Sequence, residues 1–311
     1  VGMIPAYVDG MLAGQLDAAA DIELVQDKGP FLLVDGNRGF GHIVAEQAMT
    51  LAIDRAQTHH FAMLSLRNSF HLGRLGDWGI IAAEAGFICI LYANVQSARP
   101  LVAPFGGSDA RFVTNPYCTA IPATEKHPMF VLDMATSTIA MGKARVAQLS
   151  GKPAPEGALI DAQGNATRDP SVVFDGAGGA LTAFGQHKGF GLALLGDILG
   201  GSFSGGGAYA PEREVPDRIV NNMMAILIDP NVFGLAQSFG VDVDSYTDWV
   251  KASPAAPGTA GVQFPGDPER RSTAERSAKG IPLDAGTLAQ LMAAARKAGV
   301  PASEHLCSTS D

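Results

Sequence analysis

The chain has 311 residues, with 22 Lys and Arg against 31 Asp and Glu, for a formal net charge of −9. Hydrophobic residues make up 47% and charged residues only 17%, so the chain can bury enough apolar surface to offset its ordering entropy, and disorder is excluded. Nucleic acid is excluded as a partner, because phosphate binding needs clustered positive charge, and no uninterrupted apolar window reaches the roughly 18 residues of a membrane span.

In chain order, FLLVD at 31–35 is a short apolar run closed by Gly36 and predicts a strand. A helix follows over 43–59, with Val44, Ala48, Leu51, Ala52 and Ile53 to one side. FAMLSL at 61–66 predicts the next strand, 75–85 a helix, and 87–92 a buried strand. Further strands are predicted at 129–132 and 224–228, and further helices at 139–149, 189–199 and 284–298. This alternation argues for α/β layering. Residues 151–183 carry turn signals in series and predict an irregular excursion anchored by Leu159, Ile160, Val172, Val173 and Phe174. No internal repeat occurs, and the whole chain is expected to form one compact unit. Its opening residues show no signal peptide, and because they do not begin with Met the numbering is expected to start partway into a longer gene product. The three cysteines, Cys89, Cys118 and Cys307, form no CxxC pair and predict reduced thiols of a cytoplasmic protein.

Three turns could carry chemistry. GFGHIV at 39–44 follows a strand and opens a helix, but its third glycine position is Val44 and the next strand ends without the ribose-binding acid, so a Rossmann site is rejected. NSFHLGRLG at 68–76 lies past a strand end, where α/β sheets bind ligands. His71 could exchange a proton near neutral pH, and Arg74 could hold a carboxylate or phosphate in a fork. A polar loop with a capping histidine fits the composition equally well. FGQHKGFG at 184–191 precedes an apolar helix and suits an anion; a turn with a solvated Lys188 is the alternative. The seven histidines show no HxxxH or HxH spacing, and no GxSxG elbow is present. Nothing in the residues therefore points to a metal or a serine nucleophile.

Taken in order, NSFHLGRLG (68–76), APFGG (103–107), TNP (114–116), FVLDMATS (130–137), GK (142–143), FGQHKGFGLAL (184–194) and FPGD (264–267) resemble the type 2 malate/L-lactate dehydrogenase family. RFVTNP (111–116), DPNVFG (229–234), DWVKASP (248–254) and KGIPLDAG (279–286) resemble its bacterial hydroxycarboxylate dehydrogenase branch. The likeness runs from Val1 to about residue 300. It implies a non-Rossmann mixed sheet covered by helices, and an oxidoreductase that uses NAD or NADP on small 2-hydroxy or 2-oxo carboxylic acids. It also implies a homodimer with its site near the subunit interface. A cofactor-binding subregion at about 60–250 is expected, with 1–59 and 251–311 packing together as a second lobe.

Carried over by position, Gly73, Arg74 and Leu75 would contact the cofactor, as would Phe130, Val131, Leu132, Asp133 and Met134. His187, Asn221, Pro265, Gly266 and Asp267 would complete the cradle. His71 matches a histidine that donates or accepts the proton in some relatives. Two departures stand out. The family usually carries an Asp-Ser-His-Gly motif, with a leading catalytic candidate, immediately before the position of Val1, and this chain begins after that motif and after the family's N-terminal helical segment. Many relatives also carry arginines where Met3 and Ala6 stand, so a carboxylate clamp must come from elsewhere, Arg74 being one option, or the substrate is bulkier and more apolar. Reduction of a cyclic imine, or a binding protein that has lost catalysis, are the alternative functions.

Overall fold

Seven strands form the central sheet: β1 (Glu23–Lys28), β2 (Phe31–Asp35), β3 (Phe61–Ser69), β4 (Ile88–Gln96), β5 (Tyr117–Ile121), β6 (Phe130–Met134) and, from late in the chain, β10 (Val220–Ile228). The computed structural model describes residues 2–96, 99–174, 176–210 and 219–301; Cys307 lies outside them. The strand order is β1-β2-β3-β10-β4-β5-β6. Only β2 and β3 pair in parallel; every other neighbouring pair is antiparallel. The parallel pair needs a crossover, which α2 (Gly41–His59) supplies. A Rossmann sheet is parallel almost throughout, so this mixed sheet is a different fold.

The residues of β3, β10 and β4 alternate across the sheet with period two. Leu64 and Leu66, Met223 and Leu227, and Cys89 and Leu91 point to one face and pack under α2 and α3 (Leu75–Glu84). On α2 the buried stripe is Val44, Ala45, Ala48, Met49, Ala52 and Ala56, whereas Leu51 and Ile53 are half-buried at its rim. Alanines there bring the helix close to the sheet, and each fully buried leucine below contributes about 1.5–3 kcal/mol. Cys89 and Cys118 belong to this core. Burial pushes both thiols up, Cys118 to about 12, so they act as small hydrophobes.

The excursion at 151–183 builds a second sheet from β7 (Leu159–Ile160), β8 (Ala166–Thr167) and β9 (Ala180–Leu181), in the order β8-β7-β9. Leu159, Val173, Phe174 and Leu181 join Val102 and Phe112 in a separate core, so three of the expected anchors, Leu159, Val173 and Phe174, belong to it and Val172 packs against it. The helix expected at 189–199 is α5 (His187–Leu195), which passes into a π-helical turn at Gly196–Ser202 lying on β4 and β10. A Cβ at Gly200 or Gly201 would meet Asn94 or the β4 backbone at about 3 Å or less, which is why glycine stands there.

The remaining helices are α1 (Ile4–Leu12), α4 (Met141–Leu149), α6 (Ala236–Lys251), α7 (Asp267–Lys279) and α8 (Ala285–Lys297). Helix α1 lies on α8, and Lys297 bonds Asp9 across them. Among the described residues no helix is long and apolar enough to cross a membrane.

Candidate active site

At the end of β3 and in the loop after it the chain is pinned by polar contacts from two strands, β2 and β10. Asn68, in the left-handed region at φ 55°, donates its backbone N–H to Asn222 Oδ1 at 2.9 Å and its side-chain amide to Asp35 Oδ1 at 3.0 Å. Arg67 Nε donates to the other Asp35 oxygen at 2.9 Å. Four residues on, the Leu72 N–H donates to Asn221 Oδ1 at 2.9 Å, and the indole of Trp78 donates to the Leu72 carbonyl at 3.2 Å. The β3–β10 register slips between Asn221 and Met223, a bulge of the kind that re-aims side chains at sites. Asn222 is itself held by Asn94, which reaches Asp197 on the π turn. The buried asparagines thus tie the His71 loop to both faces of the sheet.

His71 Nδ1 accepts from the Gly73 N–H at 3.3 Å and sits 2.7 Å from the Tyr7 hydroxyl. An amide N–H can only donate, so the proton of the neutral ring lies on Nε2 and Tyr7 donates as well. Burial holds the Tyr7 phenol above its ordinary value, which keeps that proton in place. Burial first, and the nearby His42 second, pull the imidazole of His71 down to about 4. The ring is neutral at pH 7, with Nε2 left for a ligand.

His42 stands at the start of α2, stacked on Phe40 (5.1 Å, 26°) with Trp78 edge-on at 6.3 Å. A Cβ on Gly73 would lie 2.3 Å from its Nε2, so Gly73, at φ 76°, is required both by conformation and by space. Replacing His42 with Gln removes the smaller of the two causes that depress His71. The His71 ring should then titrate above 4 but still below 6.5, as read by NMR; an unchanged value would contradict the assigned coupling.

Arg74 opens α3. Its guanidinium donates to Asp77 Oδ1 at 2.9 Å and pairs through Nε with Asp133 Oδ2 at 3.2 Å. Burial raises the Asp133 carboxyl, opposed by a hydrogen bond from the Gly76 N–H and by Arg74. This differs from the sequence-based option of a free Arg74 clamp: the guanidinium already spans two carboxylates.

His71, Gly73, Arg74, Leu75, Asp133 and Asn221 line one cavity of about 210 Å³, with Thr114 and Pro116. Arg74 also lines a neighbouring cavity of about 490 Å³, formed with Ile80, Met129, Val131, Gly266 and Arg270. Phe130 and Pro265 line a third, of about 260 Å³. The Pro265 carbonyl accepts from the Val131 N–H at 3.3 Å, which fastens the 265–267 turn to β6, and Asp267 is bonded to Arg270 at 2.5 Å. Leu132 and Met134 pair with Thr119 and Tyr117 on β5 and, by strand alternation, point away from the Val131 face. His187 is exposed at the start of α5, 5.9 Å from the Phe105 ring, and does not line the His71 cavity. Tyr7 was missed as a site residue, and nothing in its local sequence marks it; His42 stands inside the GFGHIV turn and was passed over when that turn was rejected as a Rossmann site. Asn94 and Asn222 could have been found, since both interrupt apolar strands at inward positions. Among the described residues no group of three or more His, Cys, Asp and Glu is placed to hold a metal ion.

In sequence and in its mixed sheet outside the Rossmann class, the chain matches an established group of enzymes. Residues 1–292 match the malate/L-lactate dehydrogenase family, and the chain belongs to that family. It is 41% identical over 303 residues to hydroxycarboxylate dehydrogenase B of Escherichia coli K12, covering 97% of this chain and 83% of that one. It is 39% identical over 282 residues to L-lactate dehydrogenase of Cupriavidus necator, covering 89% and 79%. A solved E. coli structure, described as a candidate malate/lactate dehydrogenase, superposes with a TM-score of 0.92 at 40% identity, covering 98% of this chain and 84% of that one.

Proposed function

We propose that the chain is an NAD(P)-dependent oxidoreductase that moves a hydride between nicotinamide and C2 of a 2-hydroxy or 2-oxo carboxylic acid. The observation that carries this reading is His71, neutral and fixed by Tyr7 and Gly73 in a cavity shared with Arg74 and Asp133. The adjoining cavity fits the rest of a dinucleotide: Ile80, Met129 and Val131 offer apolar walls for a flat base, and Arg74 sits between the two spaces. A bound nicotinamide supplies or receives the hydride. The protein's own part is the proton. With Tyr7 donating to Nδ1, the Nε2–H hydrogen-bonds the substrate oxygen. For Nε2 to accept a substrate hydroxyl proton, the ring's own proton moves to Nδ1, where the Tyr7 hydroxyl rotates to accept it and the Gly73 N–H bond to Nδ1 is given up. An anion arriving in the cavity offsets the desolvation of the imidazolium, so protonation of His71 and substrate binding favour one another.

Met3 lies one helical turn before Tyr7 on α1, which puts an apolar side chain on the face that meets His71. This favours a bulky apolar 2-oxo acid over a dicarboxylate. The reading includes a homodimer, which would cover exposed side chains such as Phe233 and Trp249, 83% and 75% accessible in one chain. The test is consumption of NADH and NADPH by the full-length protein with pyruvate, oxaloacetate, 2-oxoglutarate, phenylpyruvate and a piperideine carboxylate. Turnover of at least one 2-oxo acid, with phenylpyruvate ahead of oxaloacetate, is expected. Exclusive turnover of the imine would favour the cyclic-imine reading, and no turnover with any substrate would contradict both.

A further inference from the structure

A dinucleotide with its nicotinamide beside His71 finds room for its adenosine end past Arg74, which lines both spaces, in the 490 Å³ cavity under the start of α7. The charges around that space are unequal in availability. Arg74 is held by Asp77 and Asp133. Arg270 spends Nη1 on the Met129 carbonyl at 2.8 Å and Nη2 on Asp267 at 2.5 Å. Lys251 sits over the Phe264 ring at 5.2 Å, 3.8 Å from Asp267, and lines the third cavity instead. The helix N-terminus, which elsewhere attracts phosphate, is already answered: Asp267 and Glu269 occupy the first turn, and Pro268 lacks an N–H. Glu269 is exposed on the lining, and no hydrogen bond or ion pair within the described residues engages its carboxylate.

Resting on the oxidoreductase reading above, we propose that this site selects NAD over NADP, and that Glu269 is the residue that discriminates. A carboxylate with free acceptors suits the two hydroxyls of an unmodified ribose. The same carboxylate repels a 2′-phosphate, for which the lining offers no uncommitted cation. Glu269 does not touch the reacting atoms; it acts on which nucleotide is held.

The test is calorimetric titration of the full-length protein with NADH and with NADPH at one fixed, low ionic strength, without substrate. NADH should bind about tenfold or more tighter. Glu269→Gln should narrow that ratio, and Glu269→Lys should reverse it, while both variants keep the thermal stability of the parent because the side chain is exposed. Equal or tighter binding of NADPH by the parent, or an unchanged ratio in both variants, would overturn the selectivity proposal alone. Binding of neither nucleotide would overturn the oxidoreductase reading, and the proposal with it.

Discussion

His71→Gln lowers turnover by about 10²–10⁴-fold while the thermal transition stays close to that of the parent, because a general acid or base contributes about that factor and the side chain is not part of either core. Glutamine keeps a hydrogen-bonding group in the loop but cannot carry a proton in exchange. The pH profile sharpens the expectation. The free imidazole titrates near 4, so above pH 5 the protonated fraction falls about tenfold per unit. In the direction of 2-oxo acid reduction, kcat/KM should fall along that slope. In the direction of oxidation the neutral ring is the active form, and His71 should impose no loss between pH 6 and 8. The variant should lose the slope as well as the rate. Near-normal kinetics in His71→Gln would transfer the proton to another group. Stability carries the same signature. The folded ring titrates below the ordinary 6.5, so its contribution is complete above 6.5 and is lost as pH falls toward 4, where the unfolded chain has taken up the proton first.

Gly41→Ala is the second large effect, and it comes from a residue with no chemistry. A Cβ at Gly41 would stand 2.1 Å from the His71 carbonyl oxygen and 2.8 Å from that of Phe70. Both neighbours are backbone, so no side chain can swing aside; α2 and the His71 loop must separate by about 1 Å, a displacement that costs on the order of 10²-fold in a catalytic site. Overpacking of this kind also destabilises by about 1–3 kcal/mol, and a backbone neighbour puts it at the upper end. The expected result is a lowered thermal midpoint together with a fall in kcat of about 10²-fold. Gly240→Ala, in α6 with nothing near its would-be Cβ, is the control and should gain about 0.5–1 kcal/mol. If Gly41→Ala behaved like Gly240→Ala, the contact between α2 and the loop would be wrong.

The central strands were legible because their burial is written in their composition. FAMLSL and FICIL are apolar enough to fill a sheet under α2 and α3, and the observed β3 and β4 contain or overlap both. β1 was missed because five of its six residues are exposed, which leaves no alternation to see. α7 was missed for the same reason: none of its residues is buried, so its sequence has no apolar period. α6 buries Asp244 and Thr247, the polar residues a search for apolar stripes passes over. At the site, the loop 68–76 could be found from its position after a strand and its glycines. The Tyr7–His71 hydrogen bond spans 64 positions and exists only once α1 is folded against the loop that follows β3. The glycines of GFGH fail as a dinucleotide fingerprint for a reason now visible: Gly39 makes room for Val44, and Gly41 for the His71 backbone.

The central claim, hydride transfer in the His71 cavity, is tested most directly by reducing a 2-oxo acid with reduced nicotinamide nucleotide that carries deuterium at both C4 positions and weighing the product. The account predicts deuterium at C2 of the 2-hydroxy acid formed by the parent protein, and a rate of transfer reduced about 10²–10⁴-fold in His71→Gln. Product without deuterium at C2, or no oxidation of either reduced nucleotide by the full-length protein, would contradict it.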